Sequence, residues 1–201
     1  MFGVDQWVHI VRFGVWQKSK WRMIDDASEV HNPTFEAFEQ IHTTSASAAA
    51  ALTRRFRRVL GRLQRRHSLL GSSRDMKSAY KQLGVHPSQL QFTIIAVFDP
   101  FAKCWRFAIS WALPFGLSGA VLLFNRVPSL IVAFCRRWLA IPVQHFYDDF
   151  RIIEPTFAEG SAFQWFRRVA DILGWRFDDA KDVLPCTVLP MLGNLEDWGR
   201  A

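Results

Sequence analysis

The sequence predicts an α+β fold in which helices back an antiparallel sheet. Three observations carry this. Two pairs of β-rich runs stand next to each other with turn residues between them, at residues 92–109 and 143–153. Tracts at 43–66, 118–139 and 163–173 place apolar residues at helical spacing. No internal repeat is present beyond a short alanine run at 48–51, so the mixed order is not a solenoid.

Residues 16–26 read as a short strand, with Lys18 and Lys20 ahead of Trp21-Arg22-Met23-Ile24 and cations presented on one face. Residues 43–66 read as a helix capped by Thr44 or Ser45, with Leu52, Phe56, Val59, Leu60 and Leu63 on one side. Its other side carries Arg54, Arg55, Arg57, Arg58, Arg62, Arg65 and Arg66, either a solvated basic face or a phosphate-binding stripe. Residues 92–98 and 104–109 form a hairpin closed by Asp99-Pro100. After the turn at 114–116, residues 118–139 are helical, and Pro128 is expected to kink or split them. Residues 143–153 form a second hairpin with Asp148 and Asp149 at its tip. The helix at 163–173 closes at Gly174, and residues 175–177 and 188–192 read as short strands.

With 201 residues, half of them hydrophobic, the chain is long enough to bury a core without disulfides. A formal charge of +7 makes a polyanion the first partner to expect. Cys104, Cys135 and Cys186 are odd in number and widely spaced, which argues against a disulfide framework or a zinc knuckle and for a reducing, intracellular compartment, cytoplasmic or nuclear. No secretory signal opens the chain. Residues 107–125 lack charge, but Pro114, Gly116, Ser118 and Gly119 interrupt them, so a turn into a helix is expected rather than a membrane span.

Asp-Asp pairs occur at 25–26, 148–149 and 178–179, and a pair alone says little because aspartate is common in turns. Only Asp148-Asp149 is bracketed by aromatic and branched residues on both sides. Two carboxylates crowded into a half-buried hairpin repel each other, and a divalent cation relieves that repulsion. An exposed turn is the bland alternative. Asp75, after Gly71-Ser72-Ser73-Arg74, is positioned to project from a strand end toward the same place. Carboxylates from separate strands meeting at one point suit a two-metal centre.

At these residues the sequence resembles the reverse transcriptase family, on the retrotransposon and retrovirus side. Asp75-Met-Lys-Ser-Ala-Tyr80 is similar to the first palm motif, Leu113-Pro-Phe-Gly-Leu117 to the second, Phe146-Tyr-Asp-Asp149 to the third, and Leu173-Gly174 with Lys181 to the fourth. Met191-Leu192-Gly193 resembles the primer grip, and Lys20-Trp-Arg-Met-Ile-Asp25 the fingers strand. The blocks stand in family order, roughly 40, 35 and 30 positions apart.

The resemblance implies a single domain of fingers, near 1–50 and 83–119, and palm, near 51–82 and 120–201, ending without a thumb. It implies an RNA-directed DNA polymerase that extends a DNA primer on an RNA or DNA template with deoxynucleotides, as part of a longer polyprotein and without a membrane. Two Mg²⁺ ions, or Mn²⁺, would be held by Asp75 and Asp148, with Asp149 the weaker third. Lys18, Lys20 and Arg22 would hold the triphosphate, Tyr80 would exclude a 2′-hydroxyl, Phe115 and Gly116 would line the nucleotide pocket, and Lys181 would donate a proton to the pyrophosphate. Arg54, Arg58 and Arg62 are the candidate contacts to the nucleic-acid backbone. The chain departs from the family at Ala120-Val121, where Ala-Pro is common, and at Asn125, where Gln is frequent. A decayed remnant that only binds nucleic acid is the alternative.

Overall fold

The computed structural model describes residues 6–36, 39–62 and 68–198. In chain order the elements are β1 (His9–Gln17), β2 (Lys20–Asp26), α1 (Ala46–Arg62), β3 (Leu69–Asp75), β4 (Ile94–Asp99), β5 (Cys104–Ile109), α2 (Ser118–Trp138), β6 (Val143–Phe146), β7 (Asp149–Pro155), α3 (Ser161–Ile172), β8 (Val183–Cys186), β9 (Val188–Met191) and β10 (Asn194–Asp197). This is the α+β arrangement expected. The chain divides into two compact units, Met1–Ile41 with Ser78–Phe124 and His42–Lys77 with Asn125–Ala201.

The first unit is built on a sheet of order β2-β1-β4-β5, antiparallel except for the parallel pair β1–β4. Where the sequence reading gave one strand at 16–26, there is a hairpin. Lys18 and Ser19 form its two-residue loop with φ of 48° and 60°, the left-handed geometry that matches strand twist. The second hairpin closes as expected, because the Asp99 carboxylate accepts from the N–H groups of Phe101 and Ala102, each at 3.0 Å. A small core joins Ile10, Ala27 and Ile95, with Leu117 against it. Gly116 is required here by packing, since a Cβ would lie 1.7 Å from the Asp25 carbonyl oxygen. The Asn32 side chain secures this turn, donating to Gly116 O at 3.1 Å and accepting from Ser118 N–H at 2.9 Å, where α2 begins.

The second unit holds an antiparallel sheet of order β6-β7-β3-β8 and the hairpin β9–β10. Leu69, Gly71, Asp75, Asp149, Arg151 and Ile153 share one face of β3–β7, while Arg74, Phe150, Ile152 and Glu154 share the other. Leu69 and Ile153 join a core with Ala49 and Leu60 of α1, Leu189 and Met191 of β9, and Trp198, while Leu52 and Phe56 pack against it. Across the sheet Phe150 meets Phe166 of α3 and Phe177, with ring centroids 5.1 and 5.5 Å away. Covered on both faces, β7 reads as the near-continuous apolar run Phe150–Ile153, which Arg151 alone interrupts.

Some expectations need correction. Helix α2 runs through Pro128 without a break, and Ser129 Oγ donates to Asn125 O at 2.8 Å beside it. Residues 175–177 form no strand; Phe177 makes only an isolated bridge with Met76. Val59 lies off the apolar stripe of α1 and is exposed, and Leu63, Arg65 and Arg66 fall outside the described residues. Thr44 bonds the His145 carbonyl through both its N–H and its hydroxyl, so it anchors the start of α1 to β6. Helix α2 is long and apolar enough to cross a membrane by length and composition, yet Phe124, Ile131, Val132 and Cys135 are buried core residues. At α3 the Glu154 carboxylate accepts from Ala162 N–H at 2.8 Å, and Gly174, with φ of 77°, follows the C-terminus.

Gly71 carries the sharpest packing constraint in the second unit, because a Cβ there would lie 2.3 Å from Nε1 of the buried Trp198. Gly71→Ala should destabilise the protein by about 1–3 kcal/mol, the usual cost of overpacking. The loss should shrink when Trp198→Phe is added. Denaturant melts of the two single variants and the double variant check this; additive losses would contradict the clash.

Candidate active site

Strand register builds the site. β3 and β7 pair so that Asp75 stands directly opposite Asp149, the last pair of their ladder, while β6 pairs Phe146 with the same Asp149. Only Tyr147 and Asp148 remain for the loop, and Tyr147 takes φ of 53° to close it. Asp148 is fixed by its backbone, its carbonyl accepting from Met76 N–H at 3.0 Å. Asp75, Asp148 and Asp149 are therefore brought together, and it is Asp149, given the weaker role by the resemblance, that pairs with Asp75.

The electrostatics show three carboxylates in competition. Burial, then the charges of Asp148 and Asp75 and a hydrogen bond with Asp75, push the Asp149 carboxyl up to about 6. Burial is also the main cause of the raised Asp148 value; its own amide N–H opposes it and the Asp75 charge adds to it. Lys181 supplies the local counter-charge, with Nζ 2.9 Å from Asp75 Oδ1 and 3.9 Å from Asp178 Oδ2. The Asp75 bond is the largest cause of a raised Lys181 value, so the ammonium stays protonated.

Residues outside the sequence motifs deliver Lys181 to this position. Asp178 N–H donates to Asp75 O at 2.9 Å, which docks the segment after Phe177 onto the end of β3. Arg74, buried on the opposite face from Asp75, bonds Asp182 at 2.9 Å and also Asp179, and its guanidinium lies 4.7 Å from the Phe177 ring centre. Arg151, next on the Asp149 face, bonds Gln144 at 2.8 Å and Glu196 of β10. An arginine inside an apolar strand and the acidic pair at 178–179 were the available signals for these two clamps.

Oxygen donors of this kind suit a hard divalent cation. Among the described residues no group of three or more His, Cys, Asp and Glu side chains is arranged to hold a metal ion by itself. That is compatible with magnesium, which characteristically takes one or two carboxylates and completes its shell with water and substrate phosphate. Burial disfavours the charged form of Asp149 and the neighbouring Asp148 and Asp75 charges add to that, and a bound cation counters both, so the residues fit the group.

The remaining candidates belong to other elements. Leu192 and Gly193, with φ of 51° and 78°, form the two-residue β9–β10 turn in the second unit, and the Met191 side chain is buried in the core. Arg54, Arg58 and Arg62 are exposed on α1. Lys18, Lys20 and Arg22 belong to the first unit and are exposed on the β1–β2 hairpin. Tyr80, also in the first unit, is buried in a ring cluster, 4.5 Å from Phe124 and 5.0 Å from Phe115, while Phe115 is largely exposed.

His145 supports the loop that carries Asp148, its Nδ1 lying 3.3 Å from Tyr147 O and its Nε2 3.3 Å from Ser129 Oγ. Burial is the largest cause of its lowered pKa. The unfolded chain therefore takes up a proton near the ordinary value of about 6.5 while the folded chain resists until lower pH, so this group removes stability as pH falls through that window. The stability gap between wild type and His145→Gln should narrow from pH 7.5 to pH 5. Using the difference cancels the carboxylates common to both proteins, and a pH-independent gap would contradict the assignment.

No protein-family model matches the sequence, and no curated protein matches it. Among solved structures the chain is similar to a foamy viral protease-reverse transcriptase in complex with double-stranded DNA, at 17% identity and a TM-score of 0.65. The match covers 92% of this chain and 29% of that one, so the chain spans under a third of the length of the viral protein. At that identity the likeness establishes the fold, and the fold is reverse-transcriptase-like.

Proposed function

We propose that the chain is the fingers-and-palm part of an RNA-directed DNA polymerase, adding deoxynucleotides to a primer 3′-end on an RNA or DNA template. The observation that carries this reading is the cross-strand pair Asp75–Asp149, with Asp148 on the adjoining loop, within a reverse-transcriptase-like fold. Two Mg²⁺ ions, or Mn²⁺, would supply Lewis-acid stabilisation of the attacking 3′-oxygen and the leaving pyrophosphate. Asp75 and Asp149 would hold them from adjacent strands, with Asp148 as a further ligand. Lys181 is the candidate proton donor to the pyrophosphate on the resemblance; its bond to Asp75 keeps the ammonium protonated, and to serve it must leave Asp75.

The other roles rest on the resemblance and on exposure. Lys18, Lys20 and Arg22 would take the triphosphate, where the planar guanidinium of Arg22 suits phosphate oxygens. Tyr80 would discriminate the sugar, with Phe115 and Gly116 beside the nucleotide. The 191–193 turn would meet the primer, and Arg54, Arg58 and Arg62 the nucleic-acid backbone. The chain would then act within a longer polyprotein, inside the cell.

Primer extension on an RNA template with Mg²⁺ tests the proposal. Wild type should incorporate deoxynucleotides, and Asp75→Ala and Asp148→Asn should each lower kcat/KM by at least about a hundredfold, about 2.7 kcal/mol. The Asp148→Asn protein should still bind primer-template. Near-normal incorporation by Asp148→Asn would overturn the site, and binding without incorporation by wild type would favour the decayed remnant.

A further inference from the structure

Where α1 meets the end of α2 and the edge strand β6, the second unit has a cleft of about 660 Å³ that the proposed polymerase chemistry does not use. One wall is α1. Ala48, Ala51, Leu52, Arg55, Phe56 and Val59 line the cleft, and their three- and four-residue spacing puts them on one face of the helix. The other wall is Arg136 of α2, residues 140–142 and Gln144 of β6. None of Asp75, Asp148, Asp149 and Lys181 lines it, and neither do Arg54, Arg58 and Arg62, the candidate contacts to nucleic acid.

The polar side chains of the lining are Arg55, Arg136 and Gln144, so among the described residues the cleft carries two cations and no carboxylate. Neither arginine has an acidic partner among those residues. Arg136 Nε donates to Val143 O at 2.7 Å, which holds that guanidinium at the start of β6 and leaves its two terminal nitrogens outside the bond. Burial lowers the Arg136 pKa, and no negative charge opposes the effect. On Gln144 the side-chain oxygen is already engaged, accepting from Arg151 Nη1 at 2.8 Å. The cleft volume falls within the range of small-ligand sites, and apolar walls with a few polar groups are the usual composition of such sites. A guanidinium presents paired N–H donors that match the two oxygens of a carboxylate.

We propose that this cleft is a binding site for a small monocarboxylate carried on an aromatic ring, the carboxylate accepting from the guanidinium groups of Arg55 and Arg136 and the ring lying against Leu52, Phe56 and Ile141. An anion is favoured over a neutral ligand because two cations share the cleft without a counter-charge. A ring is favoured over a bare anion because burying it against these apolar side chains removes apolar surface from water. The inference stands apart from the polymerase reading, since it uses none of the residues assigned to that chemistry.

Phenylacetate tests this by calorimetric titration of the intact chain, with 2-phenylethanol as its uncharged counterpart and acetate as its counterpart without a ring. Wild type should bind phenylacetate at least about tenfold more tightly than either. Arg55→Gln removes one charge from an exposed position and should lower the preference over 2-phenylethanol by at least about threefold. Adding Arg136→Gln should erase it. Ala51→Trp, also at an exposed position, fills the cleft while keeping both arginines and should abolish phenylacetate binding, which keeps the test decisive if the Arg136 variant does not fold. Equal affinity of wild type for phenylacetate and 2-phenylethanol, an unchanged preference in Arg55→Gln, or phenylacetate binding that survives Ala51→Trp would overturn the proposal. So would acetate binding as tightly as phenylacetate, because the arginines would then be a plain cationic surface, or no binding of phenylacetate at millimolar concentration.

Discussion

Like charges directly opposite one another on adjacent strands destabilise a sheet, and the second unit is organised around holding such a pair. Asp75 and Asp149 end the β3–β7 ladder side by side, and burial first, with the charges of Asp148 and Asp75 adding to it, pushes the Asp149 carboxyl up to about 6. What offsets the cost is everything behind the pair. β7 is buried on both faces, so it cannot slip by one residue without turning Phe150 and Ile152 out of one core and Ile153 out of the other. Met76 and Asp178 tie the loop with Asp148 and the segment before Lys181 to the two sides of Asp75. The carboxylates are crowded because the packing of β7 leaves them no other register.

The clamps on that ladder are polar, buried and far apart in sequence. Arg74 holds Asp179 and Asp182 across more than a hundred residues, and Arg151 holds Glu196 across 45. Removing one partner of such a buried pair characteristically costs several kcal/mol, because the other charge is left stranded. Arg74 and Asp75 are neighbours on opposite faces of one strand, so the strand that presents the carboxylate on one side is anchored by a guanidinium on the other.

Legibility in the sequence followed the range of the interaction. The β4–β5 hairpin was readable because Asp99-Pro100 closes it locally, and the β6–β7 hairpin because its apolar runs flank a polar pair. Asp75, Asp148 and Asp149 were legible as residues and as motifs, whereas the pairing of Asp75 with Asp149 was not, since register depends on partners some seventy positions away. β1 was missed because Lys18-Ser19 turns without glycine or asparagine, and β8 and β10 because Pro185 interrupts one and Glu196-Asp197 the apolar pattern of the other. Pro128 shows the limit of a local rule: tertiary burial of α2 outweighs the lost backbone bond. Gly116 was readable as a close approach, but the group that approaches in this structure is the Asp25 backbone.

The account rests on the carboxylates acting together to hold divalent cations, and metal binding measures that without requiring catalysis. Mn²⁺ titration followed by water-proton relaxation should show uptake by wild type that Mg²⁺ competes away. Asp149→Asn should weaken it by at least about tenfold, about 1.4 kcal/mol. Mn²⁺ uptake by Asp149→Asn equal to that of wild type would contradict the account, because the Asp75–Asp149 pair would then be a structural feature of the ladder and nothing more.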